Sequence, residues 1–511
     1  MANDGIIKLA QKKDAIKKTD ENKISQQHKK WKLTARERIE VLLDKGSFQE
    51  FGLFVKHRCA NFGLDKQDIA CDGVITGCGT IFGRNVFVYS QDFTVSGGSL
   101  GEMHAQKIIA LQKKALETKS PIIGINDSGG ARIQEGICAL AGYGEIFQNN
   151  IDASGVIPQI SVIMGPCAGG ASYSPALTDF TFMSQGTSYM FITGPNVIKV
   201  TTGEDISFEE LGGAKVHSTT SGVADCVGEN DIDTLVKVRQ LVSFLPSSNT
   251  DCSQNLTISE PPVFTGNKIL NEIVPSNSNQ PYDMKKVIEN IVDDRDYFEI
   301  QQNFAKNIIV CFARIFGRTI GIVANQPMEI AGCIDIKASR KAARFVRFCD
   351  AFNIPLVSLV DVPGFLPGKN QEHDAIIRHG AKLLYAYGEA TVPKISIVLR
   401  KSYGGAYIVM GSKKLSNDLN YAWPNAEIAV LGSKQAGEIL FRKHCTDENE
   451  YQQKCQEYSE KFCNPYYAAS FGYIDDVIEP ADTREIIHRG LVLLENKQVQ
   501  KPWKKHDNLP M

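Results

Sequence analysis

Two short stretches of the chain place bare backbone where chemistry could occur. "GPCAGGASYSPAL" runs from Gly165 to Leu177, and "RKSYGGAYIVMGS" runs from Arg400 to Ser412. Neither Gly169-Gly170-Ala171 nor Gly404-Gly405-Ala406 contains an acid, a base or a nucleophile. Each follows an apolar run, and the pattern reads as a strand feeding a helix. Glycine lets backbone approach a ligand closely, and the first N–H groups of a helix have no partner within it. Two such groups aimed into a cleft hold an anion. Where negative charge develops on an oxygen during a reaction, they stabilise it without any side chain. Tight helix–strand packing would explain one glycine pair. Two pairs in equivalent places, each facing an Asp-x-x-Gly turn (Asp127–Gly130 and Asp361–Gly364), favour the anion site.

The equivalence comes from a duplication. "IFGRNVFVYSQ" from Ile81 returns as "IFGRTIGIVANQ" from Ile315. Gly83 pairs with Gly317, Pro121 with Pro355, Asp127 with Asp361 and Gly130 with Gly364, all at a spacing of 234 residues. One residue later in register, "IPQISVIMGPCAGGA" from Ile157 matches "VPKISIVLRKSYGGA" from Val392. "RIEVLLDKGSFQE" echoes "VIENIVDDRDYFE", and "SGVADCV" echoes "FGYIDDV". An ordered series of matches at nearly constant spacing implies two copies of one domain. Between Leu245 and Tyr282 lie Pro246, Pro261, Pro262, Pro275 and Pro281 among Ser and Asn, a linker composition. The expected domains are therefore residues 1–260 and 261–511. Within each copy, strands alternate with helices, as in "PIIGIND" and "GEMHAQKIIALQKKALETKS". That alternation implies an α/β fold with its ligands at the carboxyl ends of the strands.

Composition narrows the field. At 511 residues, 43% hydrophobic and 22% charged, the chain is an ordinary two-domain globular protein. A net charge of −2 offers no basic surface for nucleic acid. The 13 cysteines contain no C-x-x-C, so buried thiols are expected rather than a zinc ribbon or a disulfide framework. No stretch reaches the ~20 apolar residues of a membrane span. The N-terminus mixes Lys with Asp4, Asp14, Asp20 and Glu21 and has no apolar signal core, which predicts a cytoplasmic protein.

The longer motifs resemble a known family. "LTARERIEVLLDKGSF", "GGSLGEMHAQKI", "NDSGGARIQEG", "DVPGFLPGKNQE" and "PNAEIAVLG", with the two glycine stretches, are similar to the carboxyltransferase (β) subunits of biotin-dependent acyl-CoA carboxylases. The propionyl-CoA carboxylase type is the nearest in pattern, and the likeness covers nearly the whole chain. The resemblance implies two tandem crotonase-like domains. It also implies that biotin, carried on a partner biotin carboxylase/biotin carrier (α) subunit, delivers carboxylate to the α-carbon of an acyl-CoA. ATP and Mg would serve only that partner. Carboxybiotin would release CO2 and leave a ureido enolate, with N1′ as the base, and the thioester would form a second enolate. By motif, Gly169 and Gly170 would supply one oxyanion hole and Gly405 and Ala406 the other. We assign the first to the thioester and the second to biotin. Ser128, Gly129, Gly130, Ala131, Ala168, Ala171 and Tyr173 would line the first site; Gly364, Phe365, Gly404 and Ile408 would line the second. Residues 297–327 occupy the place of that family's acyl-CoA contact segment. The family's site joins the N-terminal domain of one subunit to the C-terminal domain of another, so a homo-oligomer, a hexamer, is implied.

Other motifs lead nowhere. "GFLPGK" (Gly364–Lys369) has the wrong spacing for a P-loop, and "GCGTIFG" (Gly77–Gly83) leads into a strand, not a helix. Asp283-Met284-Lys285-Lys286 lacks the Ala-Met-Lys-Met pattern of biotin attachment, so biotin must arrive on another chain. Ser99, Ser128 or Ser172 with His104 would make a hydrolase, but none lies in G-x-S-x-G. His379 is expected to be helical and structural, and Phe180 and Phe182 to be core. Two other settings share the chemistry or the fold. One is the carboxyltransferase of a biotin-dependent acyl-CoA decarboxylase of methylmalonyl-CoA or glutaconyl-CoA type. The other is a biotin-independent hydratase or isomerase using Glu102 and Glu135 as acid and base. Ile408 is a departure, since propionyl-type relatives often carry a small or polar residue beside the second hole.

Overall fold

The computed structural model describes residues 2–18, 20–67, 69–251 and 265–510. The chain divides into two compact units, Met1–Asp251 and Cys252–Met511. The sequence-based boundary at residue 260 falls within 252–264, outside the described residues.

Unit 1 is built on an eight-stranded sheet: β1 (Gln49–Phe51), β2 (Val74–Ile81), β3 (Arg84–Gln91), β4 (Ile122–Ser128), β5 (Gln159–Ala168), β6 (Phe180–Ser184), β7 (Tyr189–Phe191) and β8 (Cys226–Gly228). The strand order is β1-β2-β3-β4-β5-β6-β8, with β7 paired to the far end of β5. Unit 2 repeats it with β9 (Tyr297–Ile300), β10 (Ile308–Ile315), β11 (Arg318–Asn325), β12 (Leu356–Val362), β13 (Lys394–Tyr403), β14 (Leu419–Ala422), β15 (Glu427–Ala429) and β16 (Asp476–Val477). Its order is β9-β10-β11-β12-β13-β14-β16, with β15 on β13. The first three strands of each sheet are antiparallel and the rest parallel. Even register is conserved: Phe87 faces Ile122 as Gly321 faces Leu356, and Ile122 faces Gln159 as Leu356 faces Lys394.

The sequence explains why these segments are strands. β4 and β12 are buried at every residue, as parallel strands covered on both faces must be. The covering helices turn alanines inward, with Ile108, Ile109 and Leu111 in Glu102–Glu117 and Phe345, Val346 and Phe348 in Ile336–Ala351. Phe180 and Phe182 are core, as expected.

The repeated "IFGR" is a hairpin. Phe82-Gly83 and Phe316-Gly317 both take positive φ, which fits the right-handed twist of the flanking strands. The Asp44 carboxylate accepts both turn N–H groups in unit 1, and Asp293 does the same in unit 2. Arg239 and Arg484 pair with these acids at 2.8 and 2.6 Å, and their guanidinium groups stack over Phe82 and Phe316.

A buried lysine holds the strand-entry loop of each unit. Lys341 donates to the carbonyls of Gln301, Phe304 and Ile308 at 3.0, 2.9 and 2.8 Å, and Lys107 donates to those of Cys71 and Val74. Removing such a donor strands buried carbonyls without a partner. Lys341→Met is expected to destabilise unit 2 by about 2–3 kcal/mol, read as a lowered unfolding midpoint in denaturant.

Candidate active site

Each unit brings two turns together at the carboxyl ends of its central strands. In unit 1, β4 runs into Ser128-Gly129-Gly130, and β5 runs into Gly169-Gly170. The strand pairing is irregular here: Asn126 faces Ile163, but Ser128 faces Cys167. The same irregularity falls between Val360 and Val362 in unit 2. Such bulges re-aim backbone beside functional sites. Gly130 has a φ of +103°, and a Cβ there would lie 3.1 Å from the Ala168 carbonyl, so the two turns are in close contact.

The glycine turns carry out the geometry read from the sequence. Gly169 (φ +61°) and Gly404 (φ +57°) reverse the chain from strand into helix, a conformation that favours glycine. Above each lies a carbonyl from the following loop, Ile192 in unit 1 and Val430 in unit 2. A Cβ at Gly170 would press on the Tyr143 ring at 3.2 Å, whereas one at Gly405 would only touch Phe365 at 3.8 Å. Short helical segments follow at once, Gly169–Ser172 into Tyr173–Leu177 and Gly404–Val409.

The sequence-derived residues fall into an exposed rim and a buried floor. Gly129, Ala131, Ala168, Gly169, Gly170 and Tyr173 reach the surface of unit 1, while Ser128, Gly130 and Ala171 lie beneath. In unit 2, Gly364, Phe365, Gly404, Gly405 and Ile408 reach the surface and Ala406 is enclosed. By register, Gly169-Gly170 corresponds to Gly404-Gly405, and Ala171 to Ala406. The N–H groups of Gly129 and Gly130 are engaged internally, by the Gly97 carbonyl and by Ser128 Oγ. The backbone left open to a ligand is therefore concentrated at the two glycine pairs. Apolar side chains surround them: Tyr173 and Ile192 in unit 1, Ile408 and Val430 in unit 2.

Side-chain chemistry is tied up elsewhere. His104 is fully buried, its Nε2 lies 3.3 Å from the Gln91 amide, and burial with Arg132 and Lys107 nearby holds its imidazole well below the usual range. It touches none of the serines of a hydrolase reading. Glu135 accepts from the Glu102 N–H at 2.6 Å and pairs with Arg132 at 2.8 Å, so it is a helix cap rather than a base facing a cleft. His379 lies on the helix Ile376–Glu389, partly buried. Among the described residues no cluster of His, Cys, Asp or Glu has the geometry of a metal site. The twelve described cysteines are free thiols.

Beneath each turn lies a buried acid that motif reading does not assign a role. Asp127 and Asp361 end β4 and β12, with their N–H groups held by the side-chain oxygens of Gln91 and Asn325. Asp361 pairs with Arg400 Nε at 2.9 Å, and burial raises its carboxyl despite that partner. Asp127 pairs with Lys32 Nζ at 2.6 Å and Arg38 Nη1 at 2.9 Å. A visible signal existed in the sequence: Gly165-Pro166 stands where the second copy has Arg400-Lys401.

Comparison with known proteins decides the family. Residues 26–509 match the model of the carboxyl transferase domain. The chain belongs to that family. The carboxyltransferase is 58% identical over 491 residues to the propionyl-CoA carboxylase beta chain of Cereibacter sphaeroides, covering 96% of each. It is 55% identical over 491 residues to the methylmalonyl-CoA decarboxylase subunit alpha of Veillonella parvula, again covering 96% of each. The crystal structure of transcarboxylase 12S, a hexamer with methylmalonyl-coenzyme A bound, superposes with a TM-score of 0.96 at 51% identity, covering 99% of this chain and 98% of that one. The fold is thus the tandem crotonase-like pair expected for a carboxyltransferase β subunit. No helix among the described residues is long and apolar enough to cross a membrane.

If the glycine-pair N–H groups stabilise developing charge, deleting one must slow chemistry. Gly170→Pro and Gly405→Pro each remove a donor. Each is expected to lower the rate of carboxyl transfer about a hundredfold or more while leaving the elution volume of the assembled protein unchanged in gel filtration.

Proposed function

We propose that this carboxyltransferase moves carboxylate from carboxybiotin, borne on a partner chain, to the α-carbon of propionyl-CoA, giving methylmalonyl-CoA. The observation that carries this reading is the pair of glycine turns in equivalent places of two duplicated units: two oxyanions require two sets of backbone donors. The relatives supply the substrates, since one acts on propionyl-CoA by name and the transcarboxylase binds methylmalonyl-CoA. Gly169 and Gly170 would face the thioester oxygen and hold charge there as the α-proton leaves. Gly405, with Gly404 at its edge and the enclosed Ala406 completing the turn behind it, would face the ureido oxygen of biotin. A flat ureido ring fits a turn where a Cβ at Gly405 would meet nothing closer than 3.8 Å. When bound, carboxybiotin supplies the CO2 and a basic nitrogen. The chain's own part is to orient both carbonyl oxygens and, through the apolar rim, to exclude water from the carbanion.

Each unit presents one turn on an open surface, so the working form we propose is a homo-oligomer, a hexamer like the transcarboxylase core. In that form the first turn of one subunit would meet the second turn of another. The proposed location is the cytoplasm. A second setting, in a decarboxylase running the same transfer in reverse, is favoured by the 55% identity to the Veillonella chain.

Reconstitution with the biotin-carrying partner is expected to fix labelled bicarbonate onto propionyl-CoA faster than onto acetyl- or butyryl-CoA. Fixation without any biotin would overturn the reading. Ile408, 42% exposed and two residues past Ala406, faces the second turn's rim. In the proposed oligomer that rim would close over the acyl chain held at a neighbouring subunit's first turn, so Ile408→Ala is expected to raise kcat/KM for butyryl-CoA relative to acetyl-CoA by about tenfold, the scale of one or two methylenes in an apolar pocket.

A further inference from the structure

The duplicated units solve one local problem in two ways, and the difference identifies residues that act on the first turn from a distance. In unit 2 the strand leading to Gly404 supplies Asp361 with both a side-chain and a backbone donor. Arg400 Nε donates to Oδ2 at 2.9 Å, and the Lys401 N–H donates to Oδ1 at 3.1 Å. Arg400 is itself braced by the Gln280 carbonyl at 2.7 Å and by the Tyr282 ring.

In unit 1 both donors are missing from the strand. The counterpart of Arg400 is Gly165, where a Cβ would fall 1.8 Å from Asp127 Oδ1 and 2.7 Å from Lys32 Nζ. No side chain of any size fits. The counterpart of Lys401 is Pro166, which has no N–H to give. Asp127 Oδ1 accordingly lacks a hydrogen-bond partner among the described residues. An unpaired charge at 1% exposure would be very costly.

The missing cations come from the N-terminal segment. Lys32 and Arg38 both reach Asp127 Oδ2. Arg38, 1% exposed, also donates to the Met164 carbonyl at 2.8 Å and to Asp231 Oδ2 at 2.9 Å. One guanidinium thus ties the end of β4 to β5 just before Gly169-Gly170. Its contacts to Asp127 and Met164 bridge the strand ends behind the two turns that meet at Gly130 and Ala168.

We propose that Arg38 and Lys32 are positioning residues for the first oxyanion turn, acting through Asp127 in the role that Arg400 and Lys401 play within unit 2. This rests on the carboxyltransferase reading above. The test uses the assembled enzyme with its biotin-carrying partner. Arg38→Met and Lys32→Met are expected to lower kcat about ten- to a hundredfold with KM for propionyl-CoA changed less than about threefold, and Arg38→Lys to recover part of the loss. Adding Pro166→Ala to Lys32→Met gives Asp127 Oδ1 the N–H that Lys401 supplies in unit 2. That double variant is expected to regain at least about threefold in kcat. A Lys32→Met kcat within twofold of the unsubstituted enzyme would overturn the inference. So would a loss that tracks only the folded fraction in circular dichroism and that Pro166→Ala leaves unrepaired. Should Arg38→Met fail to fold, the Lys32 and Pro166 variants decide it alone. An unsubstituted enzyme that transfers no carboxylate would instead overturn the functional reading.

Discussion

A buried carboxylate facing a buried cation, once in each unit, is the constraint around which the rest is arranged. Asp127 and Asp361 sit where a fully buried strand must end and turn back toward solvent. Burial makes each carboxylate expensive unless it is paired, and pairing fixes the direction in which the next three residues leave the strand. The irregular ladder at these positions and, in unit 1, the contact of Gly130 with the end of the neighbouring strand follow from that fixed point. The proposed catalytic surface is nearly featureless backbone. On the proposal above, its precision is borrowed from the charged layer below.

The division between layers explains why so little side-chain chemistry is visible. An oxyanion site made of N–H groups asks only for small residues and a rigid foundation. Acids and bases near the turns are spent on structure: Glu135 caps a helix, His104 is buried beside Gln91, and Arg132 links Asp72 to Glu135. In the proposed reaction the proton and the carboxyl group are handled by what the partner brings. That fits an enzyme whose relatives include, by name, both a carboxylase and a decarboxylase.

Much of the fold was legible because it was written twice. The repeat, at 234 residues and then 235, identified the strands and both glycine turns, and the observed ladders keep the same register in both copies. The first glycine of each pair, Gly169 and Gly404, has a positive φ that favours glycine, which is why the motif could be recognised in both copies. What could not be read was long-range pairing. Nothing near Asp127 in the sequence points to Lys32 or Arg38, since the contacts form between distant segments. Accessibility was equally hidden: Ala406 and Gly405 are neighbours in a motif, yet one is enclosed and the other open. Glu135 showed the same limit, because a carboxylate's partners, not its presence, decide whether it can act as a base.

The two ways of neutralising the acid also differ in when they can form. Arg400 and Asp361 are 39 residues apart, whereas Arg38 must meet Asp127 at 89 residues and Asp231 at 193. Closing the longest of these loops rather than the shortest costs about 1.4 kcal/mol more in chain entropy. Contacts of high sequence separation also form late and slowly. The second unit can therefore organise its turn from a short local segment as it folds. The first completes its full Arg38 network only once Asp231, near the end of the unit, has been added, which makes the Arg38–Asp231 contact a closing step in the folding of the N-terminal half.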